Sequence, residues 1–245
     1  MQALILAAGY ATRLWPLTKN TPKPLLEVKG KPIIDHILSK IEEVSLIDKV
    51  YVVTNEKFFQ NFEDWVKKTK TRLKIKVIDD MTTSNEDRKG AVGDIVFAID
   101  EEKIEDDLLV IAGDNLFEYS VSEFVNYYYS KGSSVVACKD MNSKEQVKGK
   151  FGVVELSKDN QIVGFEEKPL EPKTTIASTA CYIFTKQDLK EIKYYANSEN
   201  HKDNSGDFIR WLSKHKKVYA WVFKENWFDI GSFESLGKAR EEFRP

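Results

Sequence analysis

Residues 2–26 read QALILAAGYATRLWPLTKNTPKPLL, and the apolar run at their start, followed by a glycine, is the strongest indication of the fold. Ala3 to Ala7 is a short apolar run that stops at a glycine, the pattern of a buried strand followed by a turn. Further runs at Lys49 to Val53, Leu73 to Ile78 and Leu108 to Ala112 alternate with segments of helical periodicity. This alternation predicts a mostly parallel sheet with helices on both faces.

The second half of the chain has more predicted strands and shorter connections than the first half. The first half contains helical patterns at Ile33 to Val44, Phe58 to Lys68 and Ala91 to Ile99. The second contains predicted strands at Ser133 to Ala137, Gly152 to Leu156, Ile162 to Glu166, Thr179 to Phe184 and Val218 to Phe223, and helices near Lys186 to Ile192, Asp207 to Lys214 and Phe233 to Phe243. We therefore predict an α/β fold with a Rossmann-like, mostly parallel central sheet and a smaller antiparallel lobe. Without a Gly/Ser/Pro-rich linker, residues 1–245 are predicted to form one domain, with lobes of about 1–130 and 131–245.

The bulk composition excludes several classes of protein. The formal net charge of the 245 residues is -2, which argues against nucleic-acid binding, so any phosphate chemistry must depend on a few placed cations. Cys138 and Cys181 form no CxxC pair and are predicted to be reduced core residues. The three histidines, His36, His201 and His215, have no metal-ligand spacing. The apolar start has no basic segment before it, so we expect a cytoplasmic protein without a membrane partner.

The loop after the first strand has the residues of a polyphosphate site. Gly9 lets backbone N–H groups approach an anion, and Arg13 supplies a forked donor for phosphate oxygens. Lys23 adds a compact charge between two stiffening prolines. The alternative is an ordinary turn with two surface cations. The absence of GxxxxGK[ST] and GxGxxG removes the main signatures of P-loop and Rossmann dinucleotide sites.

This segment resembles the N-terminal signature of the sugar nucleotidylyltransferase family, LxGGxGTRLxPLT…PKPLL. The chain departs from it at Ala8 and Ala11, where many members carry glycine. The matching residues are Leu6, Gly9, Thr12, Arg13, Leu14, Pro16, Leu17, Thr18, Pro22, Lys23, Pro24, Leu25 and Leu26. The resemblance implies transfer of a nucleotidyl group from a nucleoside triphosphate to a sugar 1-phosphate. It makes Arg13, Lys23 and Asp114 catalytic, and the 131–245 lobe the sugar-phosphate side.

Two aspartates are candidates for a magnesium site. Asp114 follows the buried strand Leu108 to Ala112, and a carboxylate at a strand end suits Mg²⁺. The segment Gly113-Asp114-Asn115 alone is a weak signal, since a capping aspartate explains it equally well. Trp227-Phe228-Asp229-Ile230-Gly231-Ser232 resembles the family segment W-x-D-I/T-G-T, which implies that Asp229 completes the site. Only that resemblance pairs these two aspartates.

The remaining site residues are also implied by the resemblance. Phe165-Glu166-Glu167-Lys168-Pro169 is similar to the E-K-P motif, in which Lys168 would neutralise the sugar phosphate and Glu167 would accept from sugar hydroxyls. Gly152 and Thr179 resemble sugar-pocket strand positions. On the nucleotide side the implied residues are Leu6, Ala8, Gly9, Arg13, Lys23 and Gly90. Many members place a glutamine shortly before that glycine; none stands here, which leaves the base open.

The implied reaction needs no general base, because the attacking sugar phosphate is already an anion. Glucose 1-phosphate with dTTP or UTP is the leading expectation, and guanylyl or cytidylyl transfer the alternative. A metal-dependent glycosyltransferase would usually show Asp-x-Asp where Gly113-Asp114-Asn115 stands. A nucleotide-sugar sensor would tend to lose the lysine or a metal aspartate. Family members are often multimers, so a homo-oligomer is a further expectation, and no C-terminal β-helix is expected.

Overall fold

The computed structural model describes residues 1–198 and 203–245, so His201 lies outside the described residues. Its strands are β1 (Gln2–Leu6), β2 (Glu27–Val28), β3 (Lys31–Pro32), β4 (Lys49–Thr54), β5 (Lys74–Asp79), β6 (Leu108–Ala112), β7 (Asn115–Phe117), β8 (Val135–Asp140), β9 (Gly152–Leu156), β10 (Ile162–Glu167), β11 (Ile176–Phe184), β12 (Tyr219–Phe223) and β13 (Trp227–Asp229). Its helices are α1 (Ile33–Glu42), α2 (Glu56–Lys68), α3 (Gly90–Glu102), α4 (Val121–Lys131), α5 (Lys144–Val147), α6 (Asp188–Ser198), α7 (Ser205–His215) and α8 (Phe233–Glu242). Two short 3-10 helices, Thr12–Leu14 and Lys23–Leu25, lie between β1 and β2.

The predicted parallel unit is present. Strand β1 pairs in parallel with β4 and β6, and β4 pairs in parallel with β5. Within the described residues, nine strands form the main sheet, in the order β10-β9-β11-β6-β1-β4-β5, with β8 pairing with β11 and β12. The mostly parallel first half is therefore confirmed.

The second half adds antiparallel strands, as predicted, with one exception. Strand β11 runs antiparallel to β6, β8 and β9, and β10 runs antiparallel to β9. The exception is β12, which pairs in parallel with β8. Because β11 pairs with β6 through Cys181 to Phe184, one continuous sheet joins the two halves.

Helices cover both faces of the sheet because each carries an apolar stripe. On α1 this stripe is Ile33, Ile34, Ile37, Leu38 and Ile41, all buried. Helix α2 begins where the Asn55 side chain accepts from the Phe58 N–H at 3.1 Å, an ordinary N-cap. These two helices pack into one core cluster, whereas α3, α6 and α7 pack into another that uses the alternate side chains of β1 and β6.

The sequence prediction missed several elements, including β2, β3 and α5, and two further omissions bear on the core and the site. Helix α4 was not predicted, although Val121, Phe124, Val125 and Tyr128 are buried at helical spacing. The antiparallel pair β7 and β13 was also missed, because three-residue strands are too short to show a period. This second omission matters more, because that pair carries part of the site.

Two smaller predictions concern the cysteines and membrane spans. Cys138 and Cys181 are buried free thiols, as predicted, and burial raises the pKa of both. Among the described residues, the structure has no helix with the length and apolar character needed to span a bilayer.

Candidate active site

The two central parallel strands end side by side, and their following loops start the site. Leu6 of β1 lies opposite Ala112 of β6, and the Gly113 N–H donates to the Leu6 carbonyl at 2.8 Å. A Cβ on Gly113 would lie 2.8 Å from that carbonyl oxygen and 3.0 Å from Pro24. Only glycine therefore allows this contact between the loops, and it fixes the position of the next residue, Asp114.

The Arg13 loop contains Ala11, one of the two positions where the sequence departs from the resembled family pattern. Ala11 adopts left-handed backbone angles, φ 48° and ψ 39°, directly before the 3-10 helix Thr12–Leu14. A non-glycine residue there costs about 1 kcal/mol, which explains why glycine is common at this point in the resembled family. The Thr18 hydroxyl donates to the Ala11 carbonyl at 2.7 Å and stabilises this conformation.

Lys23 reaches the end of β6. It begins the 3-10 helix Lys23–Leu25, with prolines on both sides. Its Nζ lies 2.8 Å from Oδ2 of Asp114, and the lysine side chain is mostly buried. The ten-residue interval between Arg13 and Lys23 therefore returns the chain to the sheet edge where β1 ends.

The short strands β7 and β13 bring the two predicted aspartates together. Asp229 lies opposite Asn115 in this pair, and the Ile230 N–H donates to the Asp114 carbonyl at 3.0 Å. Burial, and then the negative charge of Asp114, raise the pKa of Asp229 to about 6. The positive charges of Lys23, Lys168 and Arg13 act in the opposite direction.

Two adjoining cavities meet at Asp114. The Gly9 cavity, of about 260 Å³, is lined by the β1 loop, Lys23, Gly90 and Asp94 among others. The Glu167 cavity, of about 310 Å³, is lined by Gly152, Phe165, Glu167, Lys168, Trp227 and Asp229 among others. Both cavities share Ala91, Ala112, Asp114, Ala180, Asp203 and Ser205.

The predicted site residues divide between these cavities. Asp114 lines both cavities, and Arg13 lines neither, although its charge acts on Asp229. Leu6, Ala8, Gly9, Lys23 and Gly90 line the Gly9 cavity, and Gly152, Glu167, Lys168, Thr179 and Asp229 line the Glu167 cavity. The structure thus brings together residues that are more than two hundred positions apart in sequence.

Two glycines of the Glu167 cavity pack closely against the Glu167 carboxylate and the Phe165 ring. A Cβ on Gly152 would lie 2.5 Å from the Phe165 ring and 3.1 Å from Glu167 Oε2, and a Cβ on Gly206 would collide with the same two side chains. Burial raises the pKa of Glu167. Lys168 has a φ of 44°, an uncommon conformation for a lysine. The Thr179 hydroxyl donates to the Ala137 carbonyl at 2.9 Å, so that donor is already used.

Several residues around the cavities were not among the predicted site residues, and Arg88, Asp203, Ser205 and Asp94 are four of them. Arg88 and Asp203 form a two-pronged ion pair, with Nε–Oδ1 and Nη2–Oδ2 distances of 3.1 and 2.9 Å. Ser205 begins α7, and its hydroxyl lies 2.8 Å from that of Tyr182. Asp94 points into the Gly9 cavity from α3. The only sequence signal for these residues is the helix-start pattern Asn204-Ser205, because their roles depend on contacts across the fold.

The combined cleft is lined by both charges: the cations are Lys23, Arg88, Lys150 and Lys168, and the acidic residues are Asp94, Asp114, Asp203, Asp229 and Glu167. Cations approach Asp114 from both cavities, with Lys23 on one side and Lys168 on the other. No histidine lines either cavity in the described part of the chain. The cleft can therefore align and neutralise phosphate groups, but it offers no imidazole for proton transfer.

Solved structures with a similar fold include UDP-glucose pyrophosphorylase complexed with UDP-glucose, at a TM-score of 0.84 and 22% identity over 98% of this chain and 96% of that one. A putative glucose-1-phosphate thymidylyltransferase from Bacillus anthracis, in complex with a sucrose, has a TM-score of 0.82 and 23% identity over 100% and 97% of the chains. At these identities the likeness shows the fold alone.

Curated relatives are closer in sequence but longer than this chain. The bifunctional protein GlmU of Methanocaldococcus jannaschii is 34% identical over 231 residues, which cover 94% of this chain and 51% of that protein. The glucose-1-phosphate adenylyltransferase of Fervidobacterium nodosum is 32% identical over 257 residues, which cover 98% and 60%. The family model described as nucleotidyl transferase matches residues 2–244. Because that match spans nearly the whole chain, this protein belongs to the nucleotidyl transferase family.

Proposed function

We propose that this protein transfers the nucleotidyl group of a nucleoside triphosphate to a sugar 1-phosphate, giving a nucleotide sugar and pyrophosphate. The observation that carries the proposal is the junction of two cavities at Asp114, with Lys23 on one side and Lys168 on the other. Each cavity would take one substrate, and the reacting phosphates would meet where the cavities join.

The chemistry follows from the charges in the cleft. A phosphate oxygen of the sugar 1-phosphate attacks the α-phosphorus, and the bond to the β-phosphate bridging oxygen breaks as pyrophosphate leaves. Lys23 neutralises the α-phosphate, Lys168 the sugar phosphate, and Arg13 the triphosphate and the leaving pyrophosphate. The nucleophile is already an anion, so the lack of a lining histidine in the described residues agrees with this reaction.

The two aspartates fit a magnesium ion as the cofactor. The charge of Asp114 raises the pKa of Asp229, and a divalent cation held by both carboxylates would relieve that repulsion. No cluster of three or more His, Cys, Asp or Glu ligands occurs among the described residues. Two carboxylates suffice for Mg²⁺, which takes its other ligands from water and substrate phosphates. When bound, the ion would supply positive charge to the phosphate oxygens.

Glucose 1-phosphate with dTTP or UTP is the substrate pair that we propose first. The support is the resemblance of the Glu166-Glu167-Lys168-Pro169 and Trp227 segments to thymidylyltransferases. A relative at 32% identity is named a glucose-1-phosphate adenylyltransferase, so ATP belongs in the comparison too. GTP and CTP remain the alternatives, because no glutamine stands in the few residues before Gly90.

The test is a matrix of dTTP, UTP, ATP, GTP and CTP against several acceptors with Mg²⁺, scored by pyrophosphate release. The acceptors are glucose, mannose and N-acetylglucosamine 1-phosphates, with phosphocholine as a non-sugar phosphate. Activity with one triphosphate and one sugar 1-phosphate is the expected result. Activity with phosphocholine alone would contradict the sugar assignment.

Two further outcomes separate the competing functions. Nucleotide-sugar binding by calorimetry, with no pyrophosphate release from any pair, would indicate a sensor instead of an enzyme. Transfer of sugar from a nucleotide sugar to a hydroxyl acceptor would indicate a glycosyltransferase. The Lys23→Met variant is the control for the assay, because it keeps the length of the side chain and removes the charge.

A further inference from the structure

A chain of three hydrogen bonds runs through the junction of the two cavities. Trp227 Nε1 donates to Asn115 Oδ1 at 2.6 Å, and Asn115 Nδ2 donates to Asp114 Oδ1 at 2.9 Å. Lys23 Nζ donates to the other oxygen of Asp114, Oδ2, at 2.8 Å. An indole N–H can only donate, so its contact fixes which end of the Asn115 amide is oxygen and which is nitrogen.

The surroundings hold this arrangement in place. Asn115 is only 4% exposed, so both ends of its amide need partners, and it has one at each end. Its place on β7 is set by the pairing with β13, the strand that begins at Trp227. The ring of Trp227 packs against Phe151 at 5.0 Å between centroids, with an interplanar angle of 60°. Trp227 and Asn115 both line the Glu167 cavity.

Lys23 and Asn115 donate to different oxygens of the Asp114 carboxylate, and each donor lines a different cavity. The Asn115 N–H binds Oδ1 and so opposes rotation of the carboxylate toward the Lys23 ammonium. With it, Oδ2 faces the lysine and Oδ1 stays directed toward the β7–β13 pair, where Asp229 lies.

We propose that Trp227 and Asn115 are positioning residues that orient the Asp114 carboxylate. Both residues line the Glu167 cavity, which would hold the acceptor, whereas Asp114 also lines the Gly9 cavity, which would hold the nucleotide. Residues of the acceptor cavity therefore set the orientation of a carboxylate that both cavities share. The indole N–H acts through the Asn115 amide. Naming the cavities by substrate rests on the proposed function, whereas the orientation of the carboxylate does not.

The first test needs no substrate. The Asp114 carboxyl ¹³C resonance is identified by its loss in Asp114→Asn, and the Trp227 indole ¹H–¹⁵N resonance by its loss in Trp227→Phe. We expect Trp227→Phe and Asn115→Leu each to shift the Asp114 carboxyl resonance. Asn115→Leu also shifts the indole resonance. The control Trp221→Phe changes a tryptophan on β12 outside both cavities and leaves the Asp114 resonance in place.

The second test uses the substrate pair that is active in the matrix. Asn115→Leu removes a hydrogen bond to the charged Asp114 carboxylate, which costs enough to raise the half-saturating Mg²⁺ concentration about tenfold or more. Trp227→Phe removes a hydrogen bond between neutral groups and raises that concentration by a smaller factor. The double variant is no worse than Asn115→Leu alone, since both changes remove the same path. Circular dichroism of each variant checks that the fold is intact.

Specific results would overturn the proposal. An Asp114 carboxyl resonance unmoved in both variants would show that the pair does not orient it. A raised KM for the sugar phosphate with an unchanged Mg²⁺ requirement would show that Trp227 only contacts the acceptor. If no substrate pair is active but the carboxyl resonance shifts, the proposed function fails and the positioning role stands.

Discussion

At the scale of single residues, Asp80 and Asp94 form a buried pair of carboxyl groups with too few donors. Asp94 is 6% exposed, and Asp80 is fully buried. Thr82 donates its N–H and hydroxyl to Asp80 Oδ1, at 2.8 and 2.6 Å. Asp80 Oδ2 and Asp94 Oδ1 have no donor among the described residues. Burial, followed by the charge of Asp80, raises the pKa of Asp94 to about 8, and a proton shared between the carboxyls supplies the missing donor.

From the Asp80–Asp94 pair we predict how the free energy of unfolding changes with pH. An unfolded aspartate has a pKa of about 3.9, so the folded state holds an extra proton at higher pH. The stability that Asp94 contributes is complete below that value and is lost as the pH rises toward 8. The free energy of unfolding should fall by up to about 1.4 kcal/mol per pH unit over this range from Asp94 alone. Asp94→Asn, which carries its own N–H donor, should reduce this slope in urea titrations at pH 5 to 9.

The matched control is Asp64→Asn, on the exposed surface of α2. The Lys67 ammonium and the Gln60 amide lower the pKa of Asp64, so that carboxyl does not titrate between pH 5 and 9. Its replacement should leave the slope unchanged. An unaltered slope in Asp94→Asn would show that the Asp80–Asp94 pair does not hold the extra proton.

Lys23 gives a prediction about catalysis. Its ammonium lies at the junction of the cavities, 2.8 Å from Asp114. Lys23→Met should lower kcat by about 10²–10³, the usual cost of one donor to developing phosphate charge. Lys19→Met, an exposed lysine of the same loop, is the control and should stay near wild type. Near-normal turnover in folded Lys23→Met would remove this residue from the mechanism.

At the scale of elements, the turn between β6 and β7 is the most constrained connection in the site. A Cβ at Gly113 would meet a backbone oxygen, which cannot move aside as a side chain can. Gly113→Ala should therefore lower the free energy of unfolding by about 1–3 kcal/mol, as overpacking does, and should lower activity through Asp114. Urea denaturation and pyrophosphate release measure the two effects.

Gly237 is the matched glycine for that experiment. It lies inside α8, where an added Cβ meets no atom within 4 Å. Gly237→Ala should raise the free energy of unfolding by about 0.5–1 kcal/mol, because alanine loses less entropy in a helix. Equal destabilisation by both substitutions would contradict the argument from space at Gly113.

The elements also show where sequence patterns are sufficient. The apolar run Leu108 to Ala112 became a strand at its predicted bounds, because burial on both faces leaves a continuous signal. The three-residue strand Trp227–Asp229 has no such signal. Its position depends on pairing with β7, which no local pattern encodes.

At the scale of the whole molecule, the Arg88–Asp203 ion pair joins the two halves across the cleft. The side chains are 45% and 59% exposed, and the Ala91 N–H also donates to the Asp203 carbonyl at 3.0 Å. Water screens such an exposed pair, so Arg88→Gln, Asp203→Asn and the double variant should give a coupling energy of about 1 kcal/mol or less. A double-mutant cycle in urea measures it, and a coupling well above that value would show that the pair is essential for joining the halves.

The sequence by itself determined the alternation of strands and helices and the buried cysteines, and it predicts a polyphosphate site in the Gly9 to Lys23 loop. These are local properties, since periodicity and glycine and proline positions act on neighbouring residues. From the residues alone, Asp114 and Asp229 were unpaired, and only a family resemblance joined them. The tertiary structure decided which distant groups meet: Lys23 with Asp114, Asp94 with Asp80, Arg88 with Asp203, and Trp227 with Asn115. Lys23 meets Asp114 because the parallel strands β1 and β6 end at one edge of the sheet, and the strand order that places them there is set by packing of the whole chain. Trp227 meets Asn115 because the short strands β13 and β7 pair.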